Sequence, residues 1–293
     1  MASISRRGFT LALGRVLAVT LALLLLAGCS LGFVYPRLDT LIGWQLDRYL
    51  KLESGQERWL DERLDERLAW HQREQLPRWR EALGSLRSDI AERRLDGERY
   101  LQYSEQVRSL LSASAAGLVD DAVKLAAGLS DRQIAHLLKR YDEDTDDLVD
   151  ELAERAADPS ERLAERFDDS RDEIENWLGD LTDDQQAYLR QWQTQAIDWG
   201  DFALVSRQRW REHIVQTLSN RSDAVALQAG VAQMLLQPES LRAPAYQAAV
   251  AKQTELRRDL QLYLLQTLTD KQRQHLLGEL DDILEDIDDV LKG

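Results

Sequence analysis

The chain has 293 residues, 44% hydrophobic and 30% charged, with 52 acidic side chains against 37 basic ones and a formal net charge of −15. That balance disfavours nucleic acid and electrostatic adhesion to anionic lipid headgroups, and a single cysteine excludes a disulfide framework within the chain. The length and apolar fraction suffice for a substantial core in one or two domains.

Residues 1–28 are read as a lipoprotein signal peptide: Arg6, Arg7 and Arg15 supply the positive end, and the apolar run from Val16 to Leu26 is too short to span a bilayer comfortably. The run ends in Leu26-Ala27-Gly28-Cys29, a lipobox, which makes Cys29 the expected lipidation site. Ser5-Arg6-Arg7-Gly8-Phe9 also resembles a twin-arginine signal, so that route stands beside the general secretory route favoured by the Leu-rich run. Cleavage leaves 293 − 28 = 265 residues, and loss of three Arg takes the charge from −15 to −18. Covalent diacylglycerol and an N-acyl chain on Cys29 would tie the chain to membrane, at about 0.8 kcal/mol per buried methylene. No other cofactor and no metal is expected. Ser30 after the cysteine resembles the pattern of sorted bacterial lipoproteins, which implies the outer membrane of a Gram-negative cell with the body in the periplasm. Residues 29–36 form an apolar tether, and from Ser30 to Pro36 it reaches about 25 Å at most.

Residues 37–293 predict an all-α domain of long antiparallel helices in an extended multi-helix bundle with no β-sheet, a subdivision near residue 158 being left open. The first helix is expected over 37–52 and the second from Ser54 towards Leu95, kinked or broken by Pro77 near Leu76. Asp96-Gly97 opens a third that runs to about Ala127, and Ser130 opens a fourth that ends near Asp158. Asp158-Pro159-Ser160-Glu161 starts the fifth, which closes at Gly179, and Thr182 starts the sixth, with Gly200 a point of division before Leu218. Further helices are expected at about 223–236, 244–268 and from Thr269 onward.

One phrase recurs at the helix starts: Leu129-Ser130-Asp131-Arg132-Gln133, Leu181-Thr182-Asp183-Asp184-Gln185 and Leu268-Thr269-Asp270-Lys271-Gln272, with a blurred copy at Leu52-Glu53-Ser54-Gly55-Gln56. In the clean copies a Ser or Thr three residues before a Gln is a capping box, so Ser130, Thr182 and Thr269 cap with Gln133, Gln185 and Gln272. Seven residues after each Leu stands a planar ring, Trp59, His136, Tyr188 or His275, and eight after it another Leu. Gln, ring and Leu share a helix face, which reads either as packing or as a repeated ligand surface formed by the rings. The anchors are 77, 52 and 87 residues apart, too uneven for a solenoid, which leaves old duplication or convergence on one good helix start.

Other chemistry is sparse. Asp142 to Asp150 place acids at four positions of a calcium loop, but Asp147 stands where the turn needs Gly and Ala153 where a bidentate Glu is needed. His71, His136, His213 and His275 have no second His at metal-ligand spacing. Trp44, Trp59, Trp70 and Trp79 form a Trp-rich stretch that reads as core or as an aromatic groove for a peptide or glycan.

Trp70-His71-Gln72-Arg73-Glu74-Gln75-Leu76-Pro77-Arg78-Trp79, with Asp39-Thr40-Leu41, Trp44, Leu46-Asp47, Tyr49, Gly179, Leu181, Gln185, Leu189 and Trp192, resembles an uncharacterised family of proteobacterial lipoproteins. That likeness implies compartment and fold. The triplets Leu181, Thr182, Gln185 and Leu268, Thr269, Gln272, with Leu129, Ser130, Gln133 as a near match, resemble the periplasmic LTxxQ chaperones of the Spy and CpxP type. Those are all-helical proteins that cradle unfolded clients on a basic face, whereas this chain is acidic. The function expected is therefore a non-enzymatic binding, scaffold or chaperone-like role at the outer membrane, with envelope proteins or unfolded polypeptide as partners. The alternative is a cell-wall enzyme resembling lytic transglycosylases, whose Glu-Ser pair occurs at Glu53-Ser54 and Glu239-Ser240.

Overall fold

The structure, a computed structural model, describes residues 34–157 and 159–292. The signal peptide, the lipobox with Cys29, and the Asp158 cap lie outside the described residues. The chain is 88% helical with no strand among the described residues, as the capping signals and hydrophobic periodicity predict.

Among the described residues twelve α-helices fall into two sets of six. The first set is α1 (Leu38–Leu50), α2 (Ser54–Trp70), α3 (Leu76–Ala91), α4 (Gly97–Ala116), α5 (Val119–Ala127) and α6 (Asp131–Ala157). The second is α7 (Pro159–Leu178), α8 (Asp183–Gln195), α9 (Gly200–Ser219), α10 (Ala224–Leu236), α11 (Pro244–Gln266) and α12 (Asp270–Lys292). The sets meet at the position where a subdivision is expected, but they exchange helices. The third helix of each packs on the sixth of the other, α3 along α12 and α9 along α6. The fourth helices, α4 and α10, meet each other. Each also reaches the opposite fifth helix, α10 packing on α5 and α4 touching α11 through the Tyr100 hydroxyl, which donates to Gln261 Oε1.

Side chains repeat this relation. Arg87 on α3 donates through Nη2 to Asp281 on α12 at 2.7 Å, and Arg211 on α9 donates to Asp142 on α6 at 2.8 Å. Asp142 and Asp281 are 281 − 142 = 139 residues apart, and so are the anchors Leu129 and Leu268 (268 − 129 = 139). Exposed pairs of this kind contribute under about 1 kcal/mol each, so they fix register more than stability. Stability lies in the apolar cores, of which the two largest draw on both sets. Ile90 of α3 joins Leu189, Leu264, Leu276 and Leu280 of the second set, while Trp210 and Ile214 of α9 join Leu50, Leu129 and Leu137 of the first.

Three expectations are adjusted. Residues 97–127 do not form one helix, because the chain turns at Gly117-Leu118 where the Trp70 ring packs. A Cβ on Gly117 would stand 2.8 Å from the indole Cη2, so any larger residue would displace the Trp70 ring. The interruption expected from Pro77 falls near Leu76, but as one π turn, His71–Gln75, between α2 and α3 and not as a loop; the turn accommodates the proline ring and its missing N–H. Residues 34–36, expected in the tether, belong to the body, since apolar Val34 and Tyr35 bury with Leu38 against Leu76, Ile287 and Val290.

Candidate functional site

All four copies of the recurring phrase cap a helix, and they do so in pairs. Ser130, Thr182 and Thr269 each donate their backbone N–H to the Oε1 of Gln133, Gln185 and Gln272 at 3.0 Å. The hydroxyls return the bond, accepting from the Gln N–H groups at 3.4, 3.3 and 3.1 Å. The blurred copy is as complete on the Gln side, with the Glu53 N–H donating to Gln56 Oε1 at 2.9 Å. The starts of α2 and α6 then face each other, and so do those of α8 and α12. Gln133 Nε2 donates to Gln56 Oε1 at 2.6 Å and Gln272 Nε2 to Gln185 Oε1 at 2.8 Å. Each amide also reaches the carbonyl just before its partner's Leu anchor. Gln133 takes Lys51 O at 3.1 Å, Gln56 takes Gly128 O at 2.9 Å, Gln272 takes Asp180 O at 2.9 Å and Gln185 takes Thr267 O at 3.2 Å. The result is two clasps, in which one Gln side chain serves both its own helix end and its partner's.

The structure divides the four rings two and two between the clasps. Trp59 lies under the Lys124 ammonium at 5.0 Å, and Tyr188 stacks on Tyr263 at 3.9 Å. Lys124 and Tyr263 occupy the same place in the two repeats, five residues before Leu129 and Leu268. His136 Nε2 lies 3.2 Å from Arg48 O, and His275 Nε2 lies 3.2 Å from Asn176 O. Each ring thus contacts the helix that its clasp brings alongside. The first acids of the calcium-like stretch are engaged by basic and hydroxyl groups: Asp142 takes Arg211, Glu143 takes Arg140, and Asp144 accepts from Tyr49 and lies beside Arg140. Among the described residues no three His, Cys, Asp or Glu side chains converge as a metal site. No helix among them is long and apolar enough to cross a membrane.

A cleft of about 1470 Å³ lies over the second clasp's core, where it was not foreseen. Its floor is Leu83, Leu86 and Ile90 from α3, Leu260 and Leu264 from α11, and Leu276 and Leu280 from α12. One wall is α7, whose residues 162, 165, 166, 169, 170, 173, 174 and 177 all line it, a repeat of three and four that marks a single helix face. Opposite stand Tyr100, Tyr103 and Val107 of α4. Tyr103 is held by Asp89, to which it donates at 2.8 Å, and this bond, with Arg99 and Arg94, keeps the buried Asp89 carboxyl below its usual range. Burial, then the Asp89 acceptor, pushes the Tyr103 hydroxyl up to about 12. The Arg162–Asp198 ion pair closes one end, and Gln193 Nε2 ties α8 to α7 through Leu163 O at 2.9 Å. The lining carries six carboxylates and three guanidiniums, a net charge of −3 (3 − 6).

The two repeats differ where this cleft is built. α11 has 23 residues and spans about 35 Å, whereas its counterpart α5 has nine and spans about 14 Å. α7 has 20 residues against 13 in α1. The corresponding helices of the first set, α1 and α5, are therefore too short to flank a trough of this length. The Trp-rich stretch does not line the cleft: Trp44 is 66% exposed, Trp70 packs on Gly117 and Trp79 is buried with Leu110. Trp177, Trp192 and Trp199 take that place instead. Glu53 and Glu239 are exposed and lie outside the cleft lining. The α7 face was readable as a stripe of charge ending in Ile174, Trp177 and Leu178, but nothing local identifies what stands opposite.

No curated protein and no solved structure matches the chain. Residues 48–247, which take in most of both sets of helices, match the profile of a family of unknown function, and the chain belongs to that family, DUF6279.

Proposed function

We propose that the protein is a lipid-anchored lipoprotein of the outer membrane, facing the periplasm, which binds polypeptide segments in the cleft without catalysis, as a scaffold or chaperone-like factor of the envelope. The cleft carries this reading: a largely apolar trough beside the second clasp, flanked by the long α7 and α11 and closed by α3 and α4 of the first set. The floor leucines at 260, 264, 276 and 280 are core residues, and the apolar surface the cleft offers comes from the half-buried Leu83, Leu86, Trp177 and Trp192 and the exposed Val107, which suit an apolar partner. Two features support the anchoring. The lipobox ends at Cys29, and Val34, buried in the body, stands 34 − 29 = 5 residues later, so the body would ride within about 17 Å of the lipidated residue.

Both parts are testable. Cys29→Ala should leave an uncleaved precursor, and a variant that is processed and fractionates with the outer membrane like the parent refutes the anchor. For the cleft, the full-length protein should suppress aggregation of a thermally unfolded test enzyme. Val107→Asp, at a 39% exposed position of the cleft wall, should abolish that protection without lowering the melting temperature. Release of anhydro-muropeptides from peptidoglycan, lost in Glu53→Gln or Glu239→Gln, would replace this reading by the cell-wall enzyme.

A further inference from the structure

Resting on the cleft as a polypeptide-binding site, we propose that its occupant is a cationic amphipathic helix of about four turns, lying along α7 with its apolar face on the leucine floor. The charge of the wall selects the class. Glu154, Glu165, Asp169 and Glu173 line the cleft with no hydrogen-bond or ion-pair partner among the described residues; Arg162 is tied to Asp198, so only Arg166 and Arg257 stand against these four carboxylates, a surplus of two negative charges (4 − 2). Glu165, Asp169 and Glu173 follow at four-residue steps, so they stand in one row about 6 Å apart along α7. Like charges four apart on a helix repel, and a neutral segment would desolvate them without compensation. Lys or Arg side chains at helical spacing on an aligned partner match the row and relieve both costs.

The dimensions agree. The lining face of α7 runs from Arg162 to Leu178, about 24 Å, which is the length of a 16-residue helix. Half of such a helix, at 10–12 Å across, fills about 900–1,400 Å³. The cleft offers about 1470 Å³.

The test uses the full-length protein in phosphatidylcholine nanodiscs and three labelled 16-residue peptides. One is Leu/Lys with leucine on one helical face, one is Leu/Glu in the same pattern, and one is Leu/Lys scrambled to destroy the face. By fluorescence anisotropy against empty nanodiscs, the patterned Leu/Lys peptide should bind at least about tenfold more tightly than the other two, with an affinity that falls as salt rises. Glu165→Gln/Asp169→Asn/Glu173→Gln, at three exposed positions, should weaken it about tenfold while the helical spectrum and melting temperature stay those of the parent. Equal binding of patterned Leu/Lys and Leu/Glu, lost in Val107→Asp, overturns the cationic class and keeps the cleft. Binding that survives Val107→Asp overturns the cleft as the site. Failure of every peptide to bind, with or without uptake of a fluorescent fatty acid, overturns both readings.

Discussion

Gln185→Leu isolates what the clasp contributes, because leucine keeps the bulk while removing every polar contact. Gln185 is 0% exposed. Its Oε1 accepts from the Thr182 N–H at 3.0 Å and from Gln272 Nε2 at 2.8 Å, and its Nε2 donates to Thr267 O at 3.2 Å. With leucine there, Gln272 retains Asp180 O and the Thr269 N–H, but the Thr182 N–H and Thr267 O lose the side chain that served them. Leaving a buried donor or acceptor unpaired costs about 1–3 kcal/mol, so two such groups set the loss at about 3 kcal/mol. For a chain of this size that is a fall of about 5–10 °C in melting temperature. Thr182→Ala, which removes only the cap hydroxyl, should cost about 1 kcal/mol. The deciding measurement is a double-mutant cycle by urea unfolding. Gln185→Leu with Gln272→Leu should lose at least about 1 kcal/mol less than the sum of the single variants, because the second leucine removes a half-served amide. A single variant within about 0.5 kcal/mol of the parent, or strict additivity, refutes the clasp as a cooperative unit.

Two further outcomes follow from burial. His71 is buried and pushed down to about 4, against about 6.5 in the unfolded chain, so the unfolded state binds the proton first and stability falls as pH drops from 6.5 towards 4. Relative to His71→Gln, the parent should lose about 2.5 kcal/mol between pH 7 and 4.5 in urea titrations, and parallel curves for the two proteins would contradict it. Gly230→Ala would place a Cβ 2.4 Å from Thr217 Oγ1 and 2.6 Å from its Cγ2, inside the α9–α10 contact. It should cost about 1–3 kcal/mol, and Thr217→Ala in the same chain should restore most of that, as calorimetry would record.

Helix starts were legible because their causes lie within four residues: a capping hydroxyl, a returning Gln and a leucine anchor suffice to mark Ser130, Thr182 and Thr269. Glu53 blurs its copy because a carboxylate stands in place of the capping hydroxyl, and the Leu52 anchor with Gln56 still marks it. The turn at Gly117 was not legible, since it depends on Trp70, 117 − 70 = 47 residues earlier. The pairing of Gln56 with Gln133 and of Gln185 with Gln272 was likewise out of reach, because identical caps give no local sign of which will meet. The cleft lies further still from local rules. Its floor comes from α3, α11 and α12 and its wall from α7, and the helical period shows each face without naming the face it meets.

The exchange of α3 and α9 ties the two halves together mechanically. Ile90 completes the core of one and Trp210 that of the other, so damage to either registers in the opposite half, and neither half has a complete core on its own. The nine-residue α5 and the 23-residue α11 lie outside that exchanged frame, so their lengths can differ without disturbing the packing that α3 and α9 impose.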